Sequence, residues 1–367
     1  METKKIRKIT EQFEFKGTFR SGELYGSGHI NDTYVVVFQL DHERAIRYIL
    51  QRINNHIFHS PWQLMENINS VTIHLRKKII EQDGDPERET LNIIKTKDHK
   101  MFYVDEDERY WRAYQFIEDA LSYDQVETKE DFYESGLAFG NFQRLLSDFP
   151  ADTLHETIKD FHNTKKRFQR FKEVLEADVR GRAKGAAKEI QFIMDREADA
   201  NILVDMLESG KLPLRVTHND TKLNNVMIDN STRKGICVVD LDTVMPGLSI
   251  HDFGDSIRFG ANTAMEDETD LTCVSCDLEL FEIYVNAFLT GCGGSLTVNE
   301  MDMLPMGAKV ITYECGIRFL TDHLEGDVYF KIHRENHNLD RARTQLALVK
   351  DMEQKWDQMI EIVNKYS

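Results

Sequence analysis

The sequence predicts an α+β protein of two lobes, in which a β-rich lobe is followed by a mainly helical one. The chain has 367 residues, which exceeds one typical core and suits two lobes that each bury their own apolar centre. Short runs rich in β-branched and aromatic residues occupy the first third of the chain, and long patterns of helical periodicity follow them. We expect the lobes to comprise residues 1–117 and 118–367.

The first lobe is predicted to contain strands on both sides of one helix. Pro61 begins a stretch with apolar residues at helical spacing through Ile80, which predicts that helix. The predicted strands are 13–19, 33–40, 45–50, 91–94, 101–104 and 110–117. The resulting order is three strands, a helix and further antiparallel strands.

The second lobe is predicted to be helical except for one β-hairpin. The hairpin is formed by 226–228 and 236–239, joined by a polar loop at 229–235. The predicted helices are 134–146, 160–207, 278–289 and 340–363.

Charge and composition exclude several function classes. The net charge of −17 would repel nucleic acid and anionic membranes, so a phosphate-bearing ligand must be held by local groups. No run of 18 apolar residues occurs, and the basic start lacks an apolar stretch after it, so we expect a cytoplasmic protein. The five cysteines form no disulfide framework or zinc pattern and suit a reducing compartment.

The segment 216–226 carries the pattern His-x-Asp-x-x-x-x-Asn through His218, Asp220 and Asn225. This spacing is typical of a kinase catalytic loop, in which a carboxylate orients and deprotonates an acceptor hydroxyl. Asn225 precedes the first hairpin strand and Asp240 follows the second, so the hairpin should bring these two oxygen ligands together for Mg²⁺. The alternative interpretation is that the aspartates only cap a turn and end a strand.

Other residues around the loop have secondary predicted roles. Lys222 is close enough in sequence to Asp220 to offset charge on a transferring phosphoryl group, and His218 is predicted to brace the loop. Asp252 and Asp255 are also predicted to brace it. The Asp-Phe-Gly triplet at 252–254 follows Asp240, so we do not assign it the metal.

Two further patterns are weaker signals. A glycine loop at 25–33 separates two predicted strands, where it could approach phosphates or form a plain hairpin. His333 and His337 would share one face of a helix, but no third ligand accompanies them, so a packing or solvated role is favoured over zinc.

These segments together resemble the aminoglycoside phosphotransferase and choline kinase superfamily, and the resemblance narrows to the N-acetylhexosamine 1-kinases. The similar stretches are 25–31, 47–51, 214–225, 240–247, 252–260 and 314–320. The resemblance implies a two-lobed, protein-kinase-like fold. It also implies ATP- and Mg²⁺-dependent phosphorylation of the anomeric hydroxyl of N-acetylglucosamine or N-acetylgalactosamine, by a monomer or weak homodimer.

The resemblance also implies site residues. Asp220 and Lys222 would be catalytic, and Asn225 and Asp240 would bind the metal. Nucleotide contacts would come from Gly26, Ser27, Gly28, Gln51, Arg52, Phe116 and Glu118. Sugar contacts would come from His29, Asp220, Asn224, Asp242, Arg318 and Tyr329, with Arg318 and Tyr329 nearest the acetamido group.

One position departs from the superfamily pattern and leaves alternatives open. Gln51 stands where a phosphate-binding lysine or arginine is usual in the superfamily, although the hexosamine kinases share the glutamine. Arg52 could replace the missing phosphate-binding residue, although strand alternation directs its side chain to the face opposite that of Gln51. The alternative is that ATP is held by other groups. The acceptor could also be choline, an aminoglycoside, homoserine or methylthioribose, and a non-catalytic sugar-binding pseudokinase is a third interpretation.

Overall fold

A computed structural model describes residues 2–26, 30–126 and 128–367. The chain divides into two compact units. The first unit comprises Met1–Leu121, Thr153–Lys159 and Met227–Met245, and the second comprises Ser122–Asp152, Asp160–Val226 and Pro246–Ser367. The predicted boundary between functional lobes after Ile117 stays a prediction.

The first unit is built mainly on a six-stranded sheet in the order β1-β2-β3-β6-β4, with β5 also paired to β6. Its elements are α1 (Glu2–Thr10), β1 (Thr18–Leu24), β2 (Asp32–Gln39), β3 (Ala45–Ile53), α2 (Pro61–Glu81), β4 (Ile93–Ile94), β5 (Tyr103–Val104), β6 (Tyr110–Gln115) and β7 (Ala120–Leu121). One face of the sheet forms an apolar core with α1, through residues such as Ile6, Val36, Leu50 and Trp111. The alternation of side chains leaves the residues between them on the opposite face.

The second unit is mainly helical. Its helices are α3 (Lys129–Leu145), α4 (Thr164–Ala177), α5 (Ala187–Met194), α6 (Glu197–Glu208), α7 (Ser249–Gly260), α8 (Leu278–Cys292), α9 (Val298–Asp302), α10 (Leu304–Glu325), α11 (His337–Gln354) and α12 (Trp356–Tyr366). The remaining strands of the chain are β8 (Arg215–Thr217), β9 (Val226–Asp229), β10 (Gly235–Val238) and β11 (Met245–Gly247). One apolar cluster joins α4, α5, α6, α10 and α11, with Phe171, Ile193, Tyr313 and Ile317 at its centre.

The predicted hairpin is confirmed. β9 lies between β10 and β7 in a three-stranded sheet, and the turn closes with the N–H of Asp229 on the carbonyl of Lys234 at 2.9 Å. Asp229 also accepts the backbone N–H of Thr232 at 2.8 Å. The hairpin begins directly after Asn225 and ends two residues before Asp240.

Several predicted element limits are wrong. The first strand begins at Thr18 rather than residue 13, because Phe13 pairs only as an isolated bridge with Thr96. The stretch 160–207 contains three α-helices instead of one, since the chain turns at Asp178, whose φ of 32° is left-handed, and again near residue 195. The predicted helix 340–363 is likewise two helices, α11 and α12, and the helices α1, α7, α9 and α10 are absent from the sequence prediction.

Two further expectations concern metals and membranes. His333 lies outside α11 and His337 is its first residue, bonded to Asp267 at 2.9 Å, so the two histidines do not share a helix face. All five cysteines carry free thiols. Within the described parts of the chain, no helix is long and apolar enough to cross a bilayer.

Candidate active site

The loop 218–225 follows β8 in the second unit, and the buried imidazole of its first residue, His218, supports it. His218 is fully buried, and its ring lies 5.4 and 6.0 Å from the rings of Phe139 and Phe142. Its Nδ1 accepts the backbone N–H of Asp220 at 3.3 Å. A buried ring in this position fixes the start of the loop, so His218 has a bracing geometry.

Asp252, in the first turn of α7, holds the backbone of the same loop. Its carboxylate accepts the N–H groups of His218 and Asn219 at 2.9 and 2.8 Å, and the side chain of Gln143 donates to it at 2.7 Å. Asn219 adopts a left-handed φ of 64°, a conformation that asparagine tolerates better than most residues. Burial raises the pKa of Asp252, while His218 and these donors oppose that shift.

Asp255, one turn later, completes the support. It accepts the backbone N–H of Thr221 at 3.0 Å and pairs with Arg258 at 2.9 Å. Burial would raise the pKa of Asp255, but the charges of Arg258 and Lys222 outweigh it and lower that pKa. Asp252 of the Asp-Phe-Gly triplet and Asp255 directly after the triplet are therefore structural carboxylates in the second unit.

Asp220 lies on the loop that His218, Asp252 and Asp255 hold in place, and its carboxylate is partly exposed. Its side chain is 29% exposed, and one oxygen lies 2.8 Å from Nζ of Lys222. Nδ2 of Asn225 donates to the backbone carbonyl of Asp220 at 2.7 Å and to its other carboxylate oxygen at 3.2 Å. Burial opposes the charge of Lys222, but Asp220 and Asp255 outweigh it and raise the pKa of the ammonium group.

The remaining predicted residues of the second unit lie at two places. Asn224 contacts Asp124, with Nδ2 3.4 Å from the carboxylate. Arg318 lies between the rings of Phe161 and Phe330, at 5.7 and 5.5 Å from their centroids. The guanidinium thus offers a planar set of N–H donors beside two aromatic rings.

Tyr329 is 68% exposed and lies on a loop after α10. Hydrogen bonds to one carboxylate hold the backbone of this loop. Asp322 accepts the backbone N–H groups of Val328 and Tyr329 at 2.9 and 2.8 Å and that of Phe330 at 3.0 Å. One buried carboxylate therefore orders three successive residues, so the exposed phenol stands on a fixed support. The sequence analysis did not identify Asp322.

A buried polar cluster lies beside Arg318. His162 contacts Glu314 through Nδ1 at 2.9 Å, and Thr164 donates to the same carboxylate at 2.7 Å. Burial would raise the pKa of Glu314, but His162, Arg318 and Thr164 outweigh it and lower that pKa to about 2. The Glu314 carboxylate therefore balances the Arg318 charge.

In the first unit, Gln51 and Asp242 belong to one polar network with a residue that the sequence analysis missed. Nε of Arg112 donates to Oε1 of Gln51 at 3.0 Å, and Nε2 of Gln51 donates to Oγ1 of Thr33 at 3.0 Å. Nη1 of Arg112 lies 2.5 Å from Oδ1 of Asp242. The other carboxylate oxygen accepts Nδ2 of Asn31 at 2.6 Å.

The electrostatics of this network centre on Arg112, which is 1% exposed. Burial would lower the pKa of its guanidinium, but Asp242, Tyr114 and Asp240 outweigh it and raise that pKa. Burial also raises the pKa of the Tyr114 phenol beside it. Arg112 therefore stays charged among several acidic groups.

Asp240, a predicted metal ligand, follows β10 in the first unit. It adopts a left-handed φ of 56° and its side chain is exposed. Non-glycine residues in this conformation are uncommon and concentrate at functional sites. The structure therefore places Asp240 at the strand end in a backbone conformation that is typical of functional positions.

The predicted nucleotide contacts of the first unit lie at three places. Gly26 has a φ of 80° with open space where a Cβ would lie. Phe116 is covered by Arg47, whose guanidinium carbon lies 3.9 Å from the ring centroid, and Arg47 pairs with Glu118. Arg52 pairs with Asp32. The predicted contacts Ser27, Gly28 and His29 lie outside the described residues.

The two predicted metal ligands suit a hard cation. Within residues 2–26, 30–126 and 128–367, no group of three or more His, Cys, Asp or Glu side chains could hold a metal ion. Mg²⁺ commonly needs only one or two protein oxygens, because waters and substrate phosphates complete its shell. The Asn225 amide oxygen and the carboxylate of the exposed Asp240 have the required donor chemistry.

Comparison with known proteins decides the family. The family model APH, described as a phosphotransferase enzyme family, matches residues 21–271. The chain belongs to this phosphotransferase family. The predicted two-lobed, kinase-like fold with a β-rich N-terminal part and a helical C-terminal part is confirmed.

Solved structures of this phosphotransferase fold cover almost the whole chain. A microcompartment-associated aminopropanol kinase has 16% identity and a TM-score of 0.63, over 97% of this chain and 98% of that chain. A spectinomycin phosphotransferase solved with ADP and spectinomycin has 14% identity and a TM-score of 0.55, over 99% and 98%. A choline kinase from Cryptosporidium parvum Iowa II has 15% identity and a TM-score of 0.55, over 99% of both chains. At these identities the likeness establishes the fold alone.

Proposed function

We propose that this phosphotransferase transfers the γ-phosphoryl group of ATP to the anomeric hydroxyl of N-acetylglucosamine or N-acetylgalactosamine, which gives the sugar 1-phosphate. The observation that carries the phosphotransfer is the Asp220 carboxylate, half-buried yet reachable, on a loop whose backbone two buried carboxylates hold. A fixed carboxylate of this kind can align an acceptor hydroxyl and take its proton.

The residues around Asp220 have complementary tasks in this proposal. Lys222 offsets negative charge that develops near the acceptor oxygen. Asn225 and Asp240 hold Mg²⁺, which supplies charge neutralisation on the phosphates when it is bound with ATP. The contact from Nδ2 of Asn225 to Asp220 uses the amide nitrogen, so the amide oxygen is the atom that Asn225 presents to the cation.

The choice of a neutral sugar rests on the resemblance and on the charge around Arg318. Arg167 lies close enough to Arg318 for the two charges to repel, and burial together with Arg318 lowers the pKa of Arg167. Two neighbouring guanidinium groups would repel a quaternary amine or a polycation. An acetamido group instead offers a carbonyl acceptor and an apolar methyl beside Tyr329.

Relatives with the same fold define the alternative acceptors. They include an aminopropanol kinase, a spectinomycin phosphotransferase and a choline kinase. A small amino alcohol or aminocyclitol is therefore the competing acceptor class for this chain.

Phosphorus NMR of the reaction products tests the proposal directly. The protein is incubated with Mg-ATP and, in parallel, with N-acetylglucosamine, N-acetylgalactosamine, galactose, choline, aminopropanol and spectinomycin. We expect a sugar 1-phosphate signal only with the N-acetylhexosamines. Transfer to an amino alcohol or to spectinomycin would keep the phosphotransferase and reject the sugar.

The Asp220→Asn variant tests the catalytic residue. We expect kcat to fall by about 100-fold or more, because a general base typically contributes that much. Isothermal titration should show acceptor binding retained, since the change alters little volume. Asp152→Asn, at an exposed aspartate, is the matched control and should keep full activity. Equal activity of Asp220→Asn and the wild type would contradict the assignment.

A further inference from the structure

The pairing of three strands places Thr33, Gln51 and Arg112 in one row across the sheet. Gln51 on β3 lies directly opposite Thr33 on β2 and directly opposite Arg112 on β6. Directly opposite residues in antiparallel strands have adjacent side chains on the same face. The positive charge missing at position 51 is therefore present on the neighbouring strand.

Gln51 is engaged at both ends of its amide. Its oxygen accepts from Arg112 and its nitrogen donates to Thr33. Arg112 also lies against Met65 of α2, with Nη1 4.0 Å from the sulfur. The glutamine thus holds the guanidinium at Nε, while Nη1, beside the thioether, is directed toward a carboxylate.

That direction is occupied by Asp242, whose side chain is only 5% exposed. Asp242 in turn accepts from Asn31, at the end of the segment between β1 and β2. The network therefore connects three strands of the sheet to two residues outside its strands, Asp242 and Asn31.

We propose that Arg112 is a positioning residue for acceptor recognition, which fixes the Asp242 carboxylate in one orientation, and that Gln51 fixes Arg112 instead of binding phosphate. This inference rests on the proposed function and on the acceptor contact that the resemblance implies for Asp242. Arg112 is too deeply buried to contact a ligand itself, so it acts through Asp242. Its replacement should weaken acceptor binding and leave ATP binding unchanged.

Two variants separate this role from phosphate binding. Arg112→Lys keeps the charge, but one ammonium cannot hold Gln51 and Asp242 in a single plane. Gln51→Ala removes the support of the guanidinium and leaves its charge. For both variants we expect the acceptor KM to rise by about tenfold to a hundredfold, as expected for losing a hydrogen bond to a charged group, with the ATP KM unchanged.

Arg109→Lys is the matched control. Arg109 precedes the same strand and pairs with Asp105, whose side chain is also buried, at 3.1 Å. This substitution alters a comparable ion pair outside the network, so both KM values should match the wild type. Thermal unfolding of all variants shows whether any kinetic change follows a loss of fold.

A double variant and a binding measurement complete the test. Arg112→Lys and Asp242→Asn should have non-additive effects on kcat/KM for the acceptor, because both act through one contact. Titration calorimetry without turnover should show weaker acceptor binding and unchanged ATP binding in Arg112→Lys.

The outcomes are distinguishable from those of the proposed function. If the wild type phosphorylates no acceptor, the proposed function fails before any variant is compared. If it is active, a raised ATP KM in Gln51→Ala or Arg112→Lys would overturn the inference in favour of phosphate binding. Unchanged KM values with a lowered melting temperature would overturn it in favour of a purely structural ion pair.

Discussion

His251 is a buried imidazole that the fold keeps neutral. Burial and the neighbouring His162, whose ring centroid lies 5.1 Å away, lower the pKa of His251 to about 3. An unfolded histidine has a pKa of about 6.5. Between these two values the unfolded chain binds a proton that the folded chain does not, so the folded state loses stability as the pH falls.

The variant His251→Phe tests this linkage. From pH 7 to pH 5, the free energy of unfolding of the wild type should fall by about 2 kcal/mol more than that of the variant. Urea unfolding at both pH values measures the difference. The pKa of Glu314 is lowered from 4.5 to about 2, so its contribution is lost only at lower pH. His42→Gln, at an exposed histidine, is the control and should follow the wild type.

The helices α3 and α8 approach each other through glycines. A Cβ at Gly140 would lie 2.2 Å from the carbonyl oxygen of Phe288, and a Cβ at Gly291 would lie 2.4 Å from that of Leu137. Both obstacles are backbone atoms, which cannot rotate away. Glycine is therefore required at this contact for space, although it weakens a helix interior.

The variant Gly140→Ala should separate these two effects. Ordinary helix propensity would stabilise the protein by up to about 1 kcal/mol, but overpacking against backbone should destabilise it by about 1–3 kcal/mol net. Urea unfolding measures the sign. Gly185→Ala, where a Cβ would meet no atom within 4 Å, should be neutral or slightly stabilising. A stabilised Gly140→Ala protein would show that the helices separate easily.

The elements that the sequence predicted well have a local signal. The hairpin 226–238 is marked by a polar turn between two apolar runs, and α2 is marked by Pro61 in its first turn. The helix α10 escaped prediction because most of its residues are buried, and a helix that is packed on all sides lacks an amphipathic period. The position of such a helix depends on the elements that pack around it, and its own sequence pattern does not show it.

In the candidate site, too, some residues have a local sequence signal and others depend on tertiary contacts. The spacing of Asp220 and Asn225 is a property of one short segment, and the structure places them in contact. Arg112 and Asp322 gave no such signal, because each acts through residues that only strand pairing or a helix end brings near. Sequence spacing identifies groups on one loop, whereas support from other elements depends on the tertiary fold.

The acidic balance of the whole chain should affect its stability. The net charge of −17 produces repulsion that unfolding relieves, and salt screens it over a Debye length of about 8 Å at physiological ionic strength. Raising NaCl from about 10 mM to about 150 mM should therefore raise Tm. Differential scanning calorimetry measures the shift. A fall in Tm with salt would mean that attractive ion pairs contribute more to stability than the net repulsion removes.

The position of the Arg112 charge affects how active members of such a family are recognised. A filter that demands a basic residue on the third strand would reject this chain as a degenerate enzyme, because it finds Gln51 there. The same filter applied across the paired strands would find Arg112 directly opposite. A basic residue missing from the third strand can thus have a neighbour on the next strand that carries charge in a different role, so the glutamine alone does not show that a homologue is inactive.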